Sequence, residues 1–163
     1  MDPLAERILR DVALDEIAPK TARHNPRNPT DHWSPPILLE RAAYLKKMAK
    51  YGDGSARESL REYPQHSTML VVRTRDSDAI VHQDYAHLFC VLAGTATLVT
   101  GGTLMRPRPV DPGETHGDSI EGGSRQELKP GDIAHVPAGL PHQILIAGEK
   151  TISCFVMKIR ETE

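Results

Sequence analysis

The sequence predicts an all-β fold for most of the chain, a small antiparallel barrel or sandwich of the jelly-roll kind, and three observations carry this prediction. After Pro64, short runs of β-branched and apolar residues follow one another. Turn signals rich in glycine and proline separate these runs at regular intervals. No helical pattern intervenes, so the strands have no crossover helices and must pack as two sheets or close into a barrel.

Six strands and two tight turns are predicted in this part of the chain. Gly101-Gly102 and Gly122-Gly123 are read as hairpin turns, because glycine adopts positive φ without steric cost. The strands are predicted over residues 68–73, 95–100, 124–128, 133–136, 143–147 and 152–159.

Residues 105–118 are predicted to form a long loop. They hold three prolines and two glycines and show no periodicity. Loops of this length are uncommon and often functional, so our hypothesis is a lid over the mouth of the barrel. Arg106 and Arg108 lie on it, either as solvated charges or as groups that pair with the carboxylate of a ligand.

The first 62 residues are predicted to form an N-terminal helical and proline-rich arm, and the barrel is predicted over residues 63–163. Trp33 is expected to anchor the proline-rich segment by burying its ring. Ser55 and Glu58 match a capping box, which predicts one or two helical turns over 55–62. The remaining elements are a helix over 2–17, an extended linker over 19–36, and a helix over 36–51 with an apolar stripe of Leu38, Ala42, Leu45 and Ala49.

Composition excludes several classes of function. The net charge is −2 and aromatic residues make up 4% of the 163 residues, so nucleic-acid binding is not expected. No apolar run is long enough to span a membrane, and we expect a cytoplasmic protein. Cys90 and Cys154 stand far apart in apolar runs, which predicts two small buried thiols.

Two stretches resemble the two signature motifs of the cupin family. The first runs from His82 through Asp84 and His87 to Gly94, and the second runs from Gly131-Asp132 through Pro137-x-Gly139 to His142. The resemblance covers about residues 68–160 and implies a double-stranded β-helix, that is, a jelly-roll barrel. It departs from the family pattern at His87, which stands where the family has a glutamate. It departs again at Ile146, near which the family has an asparagine.

The resemblance implies a metal site inside the barrel. His82, His87 and His142 would form the ligand set, with Asp84 as a further ligand or as a carboxylate that orients a histidine. Imidazole and carboxylate suit one divalent transition metal such as Fe, Mn, Zn or Ni. Three protein ligands leave coordination positions open for water or substrate.

Three functional readings stay open. In the first reading, the chain is a metal-dependent enzyme that acts on a small molecule, and it is of the dioxygenase type if the reaction is an oxidation. Alternatively, it is a non-enzymatic module that binds a small molecule, or a metal-free isomerase or epimerase with His82 or His142 as general base. Cupin barrels usually pair, so we also predict a homodimer.

The remaining histidines lie outside the predicted ligand set. His135 is a candidate for lining the pocket. His24, His32, His66 and His116 lie in turn-rich or linker sequence and are predicted to be solvated.

Overall fold

Two antiparallel sheets make up most of the computed structural model, which describes residues 30–161. In that range the chain forms one helix, α1 (Pro35–Tyr51), followed by thirteen strands. The strands are β1 (Ser55–Glu62), β2 (His66–Arg73), β3 (Ala79–His82), β4 (Tyr85–Gly94), β5 (Ala96–Thr100), β6 (Thr103–Met105), β7 (Arg108–Asp111), β8 (Glu114–Gly117), β9 (Ser119–Glu121), β10 (Ser124–Leu128), β11 (Ile133–Val136), β12 (His142–Leu145) and β13 (Ile152–Arg160).

The strand order is that of a jelly roll. The first sheet runs β1-β2-β13-β4-β11, and the second runs β10-β5-β12-β3-β8-β7. A two-stranded ribbon, β6-β9, stands beside them. Most neighbours in the order come from distant parts of the sequence, with β1-β2 and β7-β8 as the consecutive pairs, and each pair is antiparallel. The predicted all-β, double-stranded β-helix fold is therefore confirmed.

The inner core lies between the two sheets. Every second residue of each long strand faces inward, because successive side chains of a strand point to opposite faces. On β13, Cys154 and Val156 face this core, whereas Phe155 between them faces outward. The other buried members are Phe89, Val91, Ala96, Leu98, Leu128, Val136, Ile144 and Ile152.

The outer core lies between the first sheet and α1. The predicted apolar stripe of this helix is the buried face, and the predicted helix over 36–51 is confirmed. Two prolines occupy its first positions, where the missing N–H groups cost nothing, and Gly52 ends it. The ring of Trp33 packs against Phe155 with 5.7 Å between the ring centroids, as an anchor should. The outer core consists of Leu38, Ala42, Leu45, Leu60, Leu70 and Val72.

Residues 55–62 are not helical, and the capping-box interpretation is wrong. They form β1, which pairs along its length with β2. Ala56 and Leu60 turn toward the outer core, as does Glu58, which bonds to Arg41 of α1. Residues that face the outer core at every second position have the period of a strand. This pattern outweighs the match of Ser55 and Glu58 to a capping box.

Residues 105–118 are not a loop, and the lid hypothesis is wrong. They contain β7 and β8, which form one edge of the second sheet. Pro109 is tolerated in β7 because β7 is the last strand of the sheet, where the absent N–H removes no ladder bond. Arg108 pairs with Asp78 and Asp118, and Arg106 also pairs with Asp118. In the structure both arginines therefore bind carboxylates of the protein itself.

Some predictions on the first part of the chain are left untested. The helix over 2–17, most of the linker over 19–36, and His24 lie outside the described residues. The division of the chain at residues 62 and 63 stays a prediction. Among residues 30–161, no helix combines the length and apolarity that crossing a membrane requires.

Candidate metal centre

The three predicted ligands lie on three different strands that meet at one end of the barrel. His82 ends β3, and His142 begins β12, which pairs with β3 opposite Ile80. A two-residue turn after His82 leads into β4, which carries His87 into the other sheet. The bend at Gly139, with φ of 75°, lets its N–H donate to the His82 carbonyl at 2.7 Å. The bend thus joins the second motif to the first.

The three imidazoles form one cluster. The ring centroids of His82 and His87 are 4.6 Å apart, those of His87 and His142 are 5.2 Å apart, and those of His82 and His142 are 6.1 Å apart. Nδ1 of His87 lies 3.3 Å from Nε2 of His142. His82 and His142 are each 7% exposed, and His87 is half-buried. The structure thus brings the three residues together from sequence separations of up to 60 positions.

Hydrogen bonds fix which nitrogen of two rings carries the lone pair. Nδ1 of His142 lies 3.3 Å from the carbonyl of Leu140, which can only accept, so the lone pair of His142 is on Nε2. Nδ1 of His82 lies 3.2 Å from Oε2 of Glu114, and the carboxylate likewise requires the proton on Nδ1. The lone pair of His82 is therefore on Nε2.

Glu114 is itself held by a second pair of groups on the same sheet face. Its Oε1 lies 2.7 Å from Nε2 of His116, and Nδ1 of His116 lies 3.1 Å from Oδ2 of Asp78. Glu114 and His116 are two apart on β8, directly opposite His82 and Ile80 of β3. A hydrogen-bonded chain therefore runs from His82 through Glu114 and His116 to the exposed Asp78.

The cluster is built to stay uncharged at neutral pH. Burial lowers the pKa of His82 to about 4, with a smaller contribution from the charge of Lys158. Burial lowers the pKa of His87 to about 2, assisted by the neighbouring His142 and His82. Burial also lowers the pKa of His142. Neutral imidazoles are the form that binds a metal, and their protons do not compete with one.

The acid of the site stays ionised. Burial raises the pKa of Glu114, but the hydrogen bond from His116 and the influence of His82 and Lys158 outweigh it, so that the net pKa is lowered. An ionised carboxylate on Nδ1 of His82 raises the electron density at Nε2, which is the atom left free to bind.

Sequence reasoning missed Glu114, and it misplaced His116. His116 was predicted to be solvated, which is wrong, because both of its ring nitrogens face carboxylates and its side chain is 21% exposed. The signal was the spacing of Glu114 and His116, which puts both on one face of a strand. Three prolines hid that strand in a stretch that looked like a loop.

Asp84 and His135 stand apart from the imidazoles. Asp84 is exposed in the turn between β3 and β4, and its carbonyl accepts the N–H of Glu161. Within residues 30–161 no contact joins its carboxylate to the cluster, so its role as a ligand stays a prediction. His135 is exposed on the outside of β11, where it faces Glu161 at 3.8 Å.

The three imidazoles are suitable ligand types for a transition metal, but their side chains are not arranged around a metal position. Two ligand nitrogens on one ion at bond lengths near 2.1 Å stand about 3.0–3.4 Å apart, which is the spacing seen between His87 and His142. However, as the side chains stand in residues 30–161, no three His, Cys, Asp or Glu groups are arranged to hold a metal ion. His87 and His142 already have the spacing of two ligands of one ion, and a third nitrogen would come from His82.

The strand order and the position of the two motifs decide the architecture. The first motif supplies β3 and β4, the second supplies β11 and the start of β12, and all three candidate ligands face the space between the sheets. The barrel has the double-stranded β-helix fold that the resemblance to cupins implies. His87 stands where the pattern of the first motif has a glutamate, and Glu114 of β8 brings a carboxylate to His82.

Comparisons with known proteins return likenesses of fold. No protein-family model and no curated protein matches the chain. Among solved structures, the protein TT1209 of Thermus thermophilus is 17% identical with a TM-score of 0.49, over 72% of this chain and 95% of that one. A Klebsiella pneumoniae protein with a double-stranded β-helix domain is 17% identical with a TM-score of 0.49, over 65% and 76% of the two chains. The cupin domain of Schizosaccharomyces pombe Cnp3 is 14% identical with a TM-score of 0.48, over 66% and 65%.

Proposed function

We propose that this cupin barrel binds one divalent transition metal through His82, His87 and His142 and uses it to bind and act on a small molecule inside the barrel. The observation that carries the proposal is the convergence of three imidazoles that burial keeps neutral. Leu140 and Glu114 engage Nδ1 of His142 and of His82, which leaves the lone pairs of both rings on Nε2 available to an ion. A metal ion would give all three rings a common partner.

The chain's own residues have distinct tasks in this proposal. Leu140 and Glu114 bind the Nδ1 protons of His142 and His82. The lone pair of each ring is therefore free on Nε2. Glu114 orients His82 and strengthens it as a ligand. Phe89, whose ring lies 5.8 Å from His87 and 6.1 Å from His142, provides an apolar wall for a small molecule. The bound metal would supply Lewis acidity and, if it is iron, the redox chemistry of an oxygenase.

A metal-free function is the second candidate, and a specific observation favours it. The pair formed by Glu114 and His82, at 3.2 Å, is a carboxylate that orients an imidazole base. Together with the unassembled ligand set, this pair suits an isomerase or epimerase in which His82 takes a proton from the substrate. A third candidate, the non-enzymatic binding barrel, shares its ligand pocket with the other two.

The metal content of the protein, purified without added metal or chelator, separates these candidates. Mass spectrometry should find close to one equivalent of Fe, Mn, Zn or Ni in the natural protein. The double variant His82→Ala/His142→Ala should lose it. The matched control His66→Ala/His135→Ala removes two histidines outside the cluster and should keep it.

A protein that carries no metal and takes up none on reconstitution would contradict the metal proposal and leave the metal-free candidates. The homodimer and the cytoplasmic location stay predictions. Light scattering that gives a monomer at high protein concentration would contradict the first.

A further inference from the structure

Lys158 places an ammonium group at the end of the barrel that holds the imidazoles. It follows Cys154 and Val156 on β13 at two-residue spacing, and both of those face the inner core, so Lys158 leaves the same face. It lies directly opposite His87 of β4 in the first sheet. Its Nζ stands 4.6 Å from the centroid of the Tyr85 ring. The side chain is half-buried.

This ammonium has no carboxylate partner among residues 30–161. The acid of the site is Glu114, and both of its oxygens are already engaged, Oε2 by His82 and Oε1 by His116. The aromatic face of Tyr85 is the partner that the geometry gives to Lys158. The charge of Lys158 also lowers the pKa of Glu114, so the two groups attract each other, but no ion pair joins them. A half-buried cation beside neutral rings, without a carboxylate in direct contact, attracts a negatively charged ligand.

A second cation, Arg73, lies toward the other end of the first sheet, opposite Ile152, whereas Lys158 lies opposite His87. Arg73 shares the strand face of Met69 and Val71, which pack against the inner core. It is half-buried, and no ion pair joins it to a carboxylate within residues 30–161. After burial and the hydrogen bond to Leu140, its positive charge is the next influence on the pKa of His142, which it lowers. Burial lowers the pKa of Arg73, and the charges of Asp53 and Asp78 act in the opposite direction, so Arg73 has acidic neighbours and the anion site depends on Lys158.

We propose that Lys158 binds the carboxylate of a small organic acid, so that the molecule in the barrel is an anion. The carboxylate would pair with the ammonium group, the apolar part would lie against Phe89, and the other end would reach the imidazoles. This inference rests on the proposed function only in naming the imidazoles as the place where the ligand is acted on. The anion site itself stands without metal.

Two matched probes test the charge requirement. Benzoate and benzamide have similar shapes, but only benzoate is an anion. Their binding is followed by NMR shifts of the labelled, metal-free protein with chelator present, because a carboxylate could otherwise bind the metal. We expect benzoate to bind at least about tenfold more tightly than benzamide.

Variants assign the effect to Lys158. Lys158→Met keeps the apolar stem and removes the charge, and it should lose about tenfold in benzoate affinity while leaving benzamide unchanged. Lys158→Arg should retain most of the benzoate affinity, and a thermal melt verifies that each variant is folded. Lys150→Met changes an exposed lysine in the turn before β13 and serves as the matched control.

Equal binding of the two probes, failure of benzoate to bind saturably, or full benzoate affinity in Lys158→Met would each overturn the inference. Its failure is distinguishable from failure of the proposed function, because the metal content of Lys158→Met should equal that of the natural protein. A protein that selects benzoate but carries no metal would keep the anion site and reject the metal.

Discussion

The same strands form both faces of the first sheet, but the two faces have different roles. On the outer face, Leu70 and Val72 are fully buried against Leu38 and Leu45 of α1. On the inner face, the apolar rows of β4 and β13 give way at one end to His87 and Lys158. Burying apolar surface stabilises the fold, whereas burying imidazoles and an ammonium group costs free energy. The difference teaches that stability comes mainly from the outer and central layers and that binding is confined to one end.

The largest expected effect is on the outer face. Leu70→Ala deletes a side chain that is 0% exposed, and we expect the free energy of unfolding to fall by about 2–5 kcal/mol. Leu39→Ala, on the exposed side of α1, is the matched control and should cost less than about 1 kcal/mol. Denaturant unfolding measures both. If the comparison of faces is right, folded Leu70→Ala still binds metal with the natural stoichiometry.

Acid should weaken the fold through the inner face. The unfolded chain protonates His82 below about pH 6.5, whereas in the folded protein the pKa of His82 is about 4. Between these values the unfolded state binds more protons, so stability falls as the pH falls. The contribution of His82 is about 3 kcal/mol, present in full above pH 6.5 and lost by pH 4.

Denaturant unfolding of metal-free protein at several pH values between 7 and 4 measures this loss. The His82→Asn variant should have a shallower pH dependence than the natural protein, and His135→Asn, on the exposed side of β11, should not. Identical pH profiles for His82→Asn and the natural protein would show that His82 is not held neutral by burial.

The smallest effect concerns the group that orients His82. Glu114→Ala removes the acceptor at Nδ1, and we expect metal affinity to fall by about 10–100-fold. Glu121→Ala, on the exposed ribbon strand β9, should change it by less than about threefold. A Co²⁺ titration measures both affinities.

The nitrogen-15 shifts of the His82 ring distinguish orientation from a merely structural role. They should report a proton on Nδ1 in the natural protein and a different tautomer in Glu114→Ala. An unchanged tautomer in Glu114→Ala would contradict the orienting role.

Most of the fold could be predicted because local patterns and global structure agree in it. The stripe of Leu38, Ala42, Leu45 and Ala49 predicts α1. The two predicted glycine hairpins are wrong, because β5 pairs with β10 and β6 pairs with β9, so Gly101-Gly102 and Gly122-Gly123 connect strands that are not partners. The failures lie where one signal hides another. A capping-box match obscured the alternation of β1, and prolines on an edge strand obscured β7 and β8.

The site could be predicted only as far as its motifs reach. His82, His87 and His142 were found because each lies in a recognisable stretch. Glu114 and Lys158 come from strands without motif residues, and register across the barrel brings them to the imidazoles. Sheet register between distant segments is set by packing of the whole barrel, so no local pattern could reveal these neighbours.

The central claim is that one metal ion lies between His82, His87 and His142. A crystal structure of protein soaked with Co²⁺, with anomalous scattering recorded at the cobalt edge, tests it most directly. We predict an anomalous peak within about 2.0–2.2 Å of one nitrogen of each of the three rings, with His82 turned toward the other two. A crystal that shows cobalt elsewhere, or none, while the three rings stay hydrogen-bonded as described would contradict the claim.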